Sequence, residues 1–314
     1  MTRILVTGAK GFVGATLVRR LHLEGHDVMC LDLPHVEADS LKTLGATGTT
    51  MYDGDVADAH TWHFDVNPEL VIHLAAEAIM SAAQSDPVRT FRTNVVGAVN
   101  VLEWCRKNDV PAIVASSDKA YGSGTSKVET DPLRPEYIYD TSKTCEDIVA
   151  QGYAKTYGLP VTITRMCNVY GPGDLNWTRL IPKTVRNALQ GKPAVIYKGA
   201  TTVMREYIHV DDVCEAYLLL AKFLLSPAKQ GRANGPFNVG TGVVLYPHQV
   251  VEFIQSSLGL EHLPTEIVES VFEELSDQSL NSEKLRKLGW RPRIDFPEGI
   301  AETVKWYRGF LEDQ

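Results

Sequence analysis

Tyr139 and Lys143 stand four apart in the run YDTSK, which places both side chains on one face of a helix start. A phenol is a poor base at its ordinary pKa of about 10. A neighbouring ammonium favours the phenolate and draws that value toward neutrality, so the pair can take a proton from a hydroxyl. The spacing alone is a common accident, and a structural pair is its default reading. Its weight comes from a second cluster near the start of the chain. Gly8, Gly11 and Gly14 form GAKGFVG, directly after an apolar run and at the opening of a helical pattern. Glycines there permit a tight turn and let backbone N–H groups approach a pyrophosphate at the helix N-terminus. Asp32 follows at the distance, about 20 residues, where a carboxylate accepts hydrogen bonds from the adenine-ribose hydroxyls of a dinucleotide. An acid there repels a 2′-phosphate, so the cofactor expected is NAD. Lys10, between the glycines, is the residue that pulls toward NADP.

The elements that must position these groups alternate along the first half. Strands are expected over Arg3–Thr7, His26–Asp32, Leu70–Ala75, Ala112–Ser116 and Val161–Arg165, and helices over Phe12–Glu24, Val88–Asn108 and Tyr139–Tyr157. Asp86 and Pro87 supply start signals for the Val88 helix. Strands separated by helices mean βαβ units and an α/β fold with a Rossmann-type, doubly wound parallel sheet. From about Pro172 the texture changes, with helices expected over Arg179–Gln190, Tyr246–Leu258 and Pro297–Phe310. The expected organisation is a dinucleotide-binding domain over residues 1–171 and a smaller α/β substrate-binding lobe over 172–314, with interleaved segments and a cleft at the carboxyl ends of the strands.

The 314 residues are 44% hydrophobic and 22% charged, which excludes a disordered chain, a collagen-like repeat and a coiled coil. The net charge of −8, with no basic stretch, argues against a nucleic-acid binder. No apolar run reaches the ~18 residues of a membrane span, and Met1–Val6 is too short for a signal-peptide core. The five cysteines form no CxxC pair and sit in apolar or amphipathic stretches, the pattern of reduced thiols in a cytoplasmic protein. No metal-ligand spacing appears among the nine histidines.

The glycine spacing resembles that of the extended short-chain dehydrogenase/reductase family, and the resemblance continues to about Tyr307. It implies that Gly8, Gly11, Phe12 and Val13 form the loop under the cofactor, and that Asp55 and Val56 contact its adenine. His73-Leu74-Ala75-Ala76 is similar to the family's fourth-strand motif, so Leu74, Ala75 and Ala76 line the cofactor. Asn94, in Thr93–Gly97, is similar to the family's central-helix asparagine. The family's chemistry assigns Tyr139 the substrate's hydroxyl proton while hydride passes to NAD, and has Lys143 hold the nicotinamide ribose. In its sugar-nucleotide members the catalytic serine or threonine lies four residues before the tyrosine of a YG pair, which here selects Ser117.

Two charged residues follow, Asp118 and Lys119, where simple 4-epimerases carry small or apolar ones. Oxidising C4 of a hexose acidifies the C5 proton, and eliminating the C6 hydroxyl needs one group to remove that proton and another to protonate the leaving oxygen. Ser117-Asp118-Lys119 resembles the CDP-glucose 4,6-dehydratase version of the family's site, which implies Asp118 as general acid and Lys119 either aiding C5 proton removal or polarising the site. Gly173–Pro182, with Trp177, is similar to the same subgroup; Val13 departs from it, where that subgroup carries lysine. The resemblance further implies that Asn168, Arg179 and Arg205 contact the substrate, the last through its diphosphate, which a guanidinium fork suits. It also implies a homodimer built on the Val88–Asn108 and Tyr139–Tyr157 helices. The alternatives are a nucleotide-sugar 4-epimerase and a non-catalytic, NAD-sensing binding protein.

Overall fold

A computed structural model describes residues 1–36, 39–46, 48–228, 230–269 and 276–312. Its main sheet is built from β1 (Arg3–Thr7), β2 (Asp27–Asp32), β3 (Thr50–Asp53), β4 (Leu70–His73), β5 (Ala112–Ser117), β6 (Val161–Met166) and β7 (Gly235–Val239). They run parallel in the order β7-β6-β5-β4-β1-β2-β3. The order reverses at β1, which opens the crevice where such sheets bind ligands.

The alternation of side chains along each strand decides what covers each face. Ile4 and Val6 of β1 point into one core with Val28, Cys30, Ile72 and Ile113. That core is closed by α1 (Phe12–Leu23) and α4 (Val210–Leu224), through Leu17, Leu21, Tyr217 and Leu220. Leu5 points the other way, with Leu31, Val71, Val114 and Ile163, under α2 (Gly97–Asn108) and α3 (Ile138–Tyr157). All of these strand residues are fully buried or nearly so.

A second sheet joins Val244–Leu245, Arg205–His209, Gln278–Leu280 and Gly124–Lys127, and Asn168–Tyr170 pairs with Arg205–His209. The chain therefore passes between the two sheets several times: Gly124–Lys127 leaves for the second, and β7 returns to the edge of the first. A separate core of Tyr170, Ile181, Val185, Ile254, Phe296, Ile300 and Tyr307 fills the second lobe. Among the described residues no helix is long and apolar enough to cross a membrane.

The helix expected over Val88–Asn108 is not continuous. Asp86 caps Pro87–Phe91 by accepting from the Arg89 amide at 2.9 Å, as its type and place predict. Arg92–Val96 then winds as a π-helix before α2 begins at Gly97. The wider turn brings Asn94 inward, where it is fully buried. The middle of α3 is tied down by a buried ion pair. Arg165 on β6 donates from Nε and Nη2 to Asp147 at 2.8 and 3.0 Å, and from Nη1 to the Tyr121 hydroxyl at 2.7 Å. Tyr121 in turn donates to Asn238 of β7 at 2.8 Å. Four of the five free cysteines are buried in these cores; Cys145 is half-buried.

Candidate active site

The turn after β1 is shaped by close approach of backbone to backbone. Gly8 has φ +70°, and a Cβ there would stand 2.7 Å from the Ala75 amide nitrogen. A Cβ on Gly14 would stand 2.1 Å from the Gly8 carbonyl oxygen. Gly11 caps α1 with no side-chain hydrogen bond, so the first amides of that helix are directed outward toward an anion. Phe12 and Val13 follow it into the first turn of α1, Phe12 buried and Val13 half-buried. Gly14→Ala is expected to displace this turn and weaken NAD binding by about 10- to 100-fold, the scale of 1–3 kcal/mol of overpacking. Calorimetric titration with NAD, alongside an unchanged circular-dichroism spectrum, checks it.

Asp32 closes β2 with one oxygen accepting from the Lys10 amide at 2.7 Å and the other from the Leu33 amide at 2.8 Å. Burial lifts its carboxyl above the ordinary value, and those two amides oppose the rise. Lys10 does not reach out to a phosphate. Its Nζ donates to the Leu33 and Pro34 carbonyls at 2.6 and 3.2 Å and pairs with Asp53 at 3.4 Å. The residue that pulled toward NADP is thus spent on the backbone, and the acid at the end of β2 remains. The glycine cradle, the uncapped helix and Asp32 together fit a dinucleotide with a free 2′-hydroxyl.

Asp55 accepts from the Ala57 amide at 2.9 Å and stands 3.5 Å from Arg92; Val56 beside it is buried. Leu74 and Ala75 leave β4 half-buried and are held to Thr7 through the Leu74 and Ala75 amides at 3.2 and 3.3 Å; Ala76, next in the chain, is also half-buried. Asn94 accepts from the Glu77 amide at 2.8 Å and donates to the Glu77 carbonyl at 3.1 Å and to Ser142 Oγ at 2.8 Å. Its side chain therefore braces the loop after β4 against α3, and this is the use the π-helical turn serves.

Ser117, the last residue of β5, and Tyr139, in the first turn of α3, meet at the mouth of the crevice. Ser117 Oγ donates to Asp118 Oδ1 at 2.9 Å and is hydrogen-bonded to Tyr139. Asp118 is 4% exposed, and its second oxygen is buried with no hydrogen-bond partner among the described residues. Lys119 is half-buried, 3.4 Å from the Gln278 side chain, and its charge reaches Asp140. Burial, then the carboxylates of Asp118 and Glu146, push Tyr139 above the ordinary phenol value; Ser117 and the Arg179 guanidinium draw it back. Arg179 pairs with Asp174 at 3.0 Å while facing this site.

Lys143 differs from the sequence expectation. Its Nζ donates to the Ala115 carbonyl at 2.5 Å and to Glu146, one helical turn on and 1% exposed. Its ammonium is thus matched by a carboxylate rather than directed only at the phenol. Burial drives the Glu146 carboxyl up to about 7, with Lys143 pulling against the rise. Glu146 was not among the sequence candidates, although the i, i+3 spacing from Lys143 puts the two on one helix face. Asn168 donates to the Glu206 carbonyl at 3.0 Å, and Arg205 to the Met204 and Ser276 carbonyls at 3.1 and 3.0 Å. Trp177 packs on Tyr307 and stacks with Phe310, centroids 5.6 and 6.5 Å apart, with the Arg186 guanidinium 4.7 Å from its ring.

Residues 4–240 match the model of the NAD dependent epimerase/dehydratase family. The chain belongs to that family. Family membership makes NAD its cofactor, as the crevice geometry does independently. The chain is 31% identical to a dTDP-glucose 4,6-dehydratase of Streptomyces griseus, over 98% of this chain and 94% of that protein. It is equally 31% identical to a UDP-glucose 4-epimerase of Mycolicibacterium smegmatis, over 98% of each. The structure of a dTDP-glucose 4,6-dehydratase of Streptomyces venezuelae with NAD bound superposes with a TM-score of 0.88 at 32% identity, covering 98% of this chain and 97% of that one. Within the epimerase/dehydratase family, the residues beside Tyr139 must decide between the two activities.

Proposed function

We propose that this family member is a nucleoside-diphosphate-hexose 4,6-dehydratase, with CDP-glucose the substrate to test first. The observation that carries the reading is Asp118, a buried carboxyl with an unpartnered oxygen, hydrogen-bonded to Ser117 and close enough to Tyr139 to raise its proton affinity. A 4-epimerase needs a base at O4 and a hydride acceptor at C4, and has no leaving group to protonate. An elimination needs an acid beside that base.

In this mechanism Ser117 orients the C4 hydroxyl and Tyr139 takes its proton. NAD, held on the Gly8–Gly14 turn and Asp32, would supply the hydride acceptor for C4 and the hydride donor for C6. The C4 carbonyl acidifies the C5 hydrogen, whose proton Lys119 Nζ takes and later gives back to C5. The proton that Tyr139 took from O4 passes through Ser117 to Asp118, which gives it to the departing C6 oxygen, releasing water. Lys143 holds the nicotinamide ribose. Arg205, Arg179 and Asn168 bind the diphosphate and sugar, and Asp55 and Val56 the adenine. The nucleotide rests on the likeness of Ser117-Asp118-Lys119 to the CDP-glucose subgroup, whereas the relatives named above act on dTDP- and UDP-sugars.

Mass spectrometry of the protein with CDP-, dTDP-, UDP- and GDP-hexoses tests the reading. Loss of one water from the sugar supports it, and the nucleotide that reacts names the substrate. Unchanged mass with inverted C4 stereochemistry makes the protein an epimerase instead. We also propose a homodimer through α3 and the Pro87–Asn108 stretch, where Val88, Ile148 and Tyr157 are 78%, 56% and 57% exposed. Sedimentation equilibrium at the mass of one chain would rule that out.

A further inference from the structure

Behind Lys143 lies a buried polar chain, Glu146, His73 and Thr7, that the mechanism above does not use. Lys143 Nζ contacts Glu146 Oε2, and Glu146 Oε1 has no hydrogen-bond partner but faces His73 Nε2 at 3.7 Å. His73 Nδ1 meets Thr7 Oγ1 at 2.7 Å, and Thr7 Oγ1 accepts from the Ala75 amide. His73 is fully buried, and Lys143 and Glu146 nearly so. Burial and the Lys143 charge keep His73 neutral, well below its ordinary value. The charges in this pocket are therefore one ammonium and one carboxylate, and a buried carboxylate is kept only at a cost unless it is paired.

We propose that Glu146 is a positioning residue that holds and neutralises Lys143, one helical turn from Tyr139, and so sets the balance of charge around that phenol. The inference rests on the reading of Tyr139 as the proton acceptor of this site. Three observations carry it. Glu146 accepts a hydrogen bond from Lys143 Nζ and cancels its charge. It also acts on Tyr139 directly, since its carboxylate is one of two that raise the phenol's proton affinity. Finally, one of its oxygens has no hydrogen-bond donor among the described residues, so Lys143 is the cation it is paired with. Every other charged or titratable group facing the pair is fixed in another role. Asp147 on α3 is bound bidentately by Arg165, and Tyr217 on α4 is hydrogen-bonded to Thr164 at 2.8 Å. Asp118 and Arg179 reach Tyr139 from the other side, with opposite signs.

The sign of the effect follows. A carboxylate close to a phenol disfavours phenolate, and a carboxylate paired with an ammonium weakens that ammonium's opposite influence. Both raise the pH needed to ionise Tyr139. Glu146→Gln keeps the shape and an acceptor for Lys143 while removing the charge, so the Tyr139 titration midpoint should fall by about one pH unit or more. The measurement is the ultraviolet phenolate absorbance of the NAD-loaded protein against pH, taken as the difference from the same protein carrying Tyr139→Phe. Glu146→Asp, which keeps a carboxylate, should bring the midpoint back toward that of the unaltered protein. A role in packing alone would not separate the two variants. If Glu146→Gln fails to bind NAD, Glu146→Ser carries the same comparison, with the same expected fall. A midpoint within a few tenths of the unaltered protein in the charge-free variant overturns the proposal. No sugar nucleotide enters this titration. A shifted midpoint in a protein that dehydrates nothing would sink the proposed function and leave the role of Glu146 standing, and the reverse pair of results would do the opposite.

Discussion

Tyr139→Phe is expected to reduce turnover of the sugar nucleotide by about 10²- to 10⁴-fold, the range over which a positioned proton acceptor contributes. The ring stays, so its packing at the start of α3 and the NAD cradle on the far side of the crevice are retained. What disappears is the hydroxyl, hydrogen-bonded to Ser117, that receives the C4 hydroxyl proton. The loss should appear in the first chemical step. A single-turnover experiment that follows reduced nicotinamide by its absorbance will show slow oxidation of C4, with NAD affinity within a few-fold of the unaltered protein. The same experiment gives the pH dependence. Activity requires the phenolate, so it falls as pH drops through the Tyr139 midpoint and levels off above it. A Tyr139→Phe protein that oxidises substrate within tenfold of the normal rate would remove tyrosine from the mechanism.

The second large effect separates two reactions rather than abolishing both. Asp118→Asn leaves a side chain of the same shape that accepts the Ser117 hydrogen bond but has no proton to give to a leaving oxygen. Release of water should fall by about 10²- to 10⁴-fold. Oxidation at C4 should persist, because Tyr139, Ser117 and the cofactor cradle are untouched. Reduced nicotinamide then accumulates on the enzyme with the sugar held as its 4-keto form, and both are read together by absorbance and mass spectrometry after quenching. If Asp118→Asn instead leaves every measured step unchanged, the carboxyl is a structural partner of Ser117 and the dehydratase reading fails. Removing the charge near Tyr139 also acts on the phenol. Asp118 is the other carboxylate that raises it, so the midpoint should move down in this variant too.

Much of the fold was legible because its determinants are local. Strands β1, β2, β4, β5 and β6 and their helices announce themselves by apolar alternation and by punctuation such as Asp86-Pro87, and the glycine turn by spacing; β3, four residues long and largely exposed, does not. Tyr139 and Lys143 are readable for the same reason, being one helical turn apart. Partners set by tertiary structure were not legible. Nothing in the sequence says that Lys10 folds back onto the Leu33 and Pro34 carbonyls, or that Asn94 is drawn inward by a π-helical turn to hold Glu77 and Ser142. Glu146 lies in plain view three residues after Lys143, yet its burial and pairing depend on the tertiary packing that sets it against Lys143 and His73 of β4. β7 was missed for another reason. Gly235–Val239 carries a glycine and a proline, which argue against a strand except at a sheet edge, and an edge is where it lies.

That edge strand bears on how the protein is made. Synthesis proceeds from the N-terminus, and domains tend to fold as they emerge. By the time residue 171 leaves the ribosome, β1 to β6 are complete, yet β6 has no neighbour on its outer side. The apolar face formed by Ile4, Val6, Cys30, Ile72 and Ile113 still waits for Tyr217, Leu220 and Leu224. Some seventy more residues must be translated before β7 supplies the missing hydrogen bonds, and during that interval the nascent sheet carries an open edge of the kind that pairs with other chains. A chaperone shielding that face, or slow passage through the codons after residue 171, would act on yield without touching any residue of the active site.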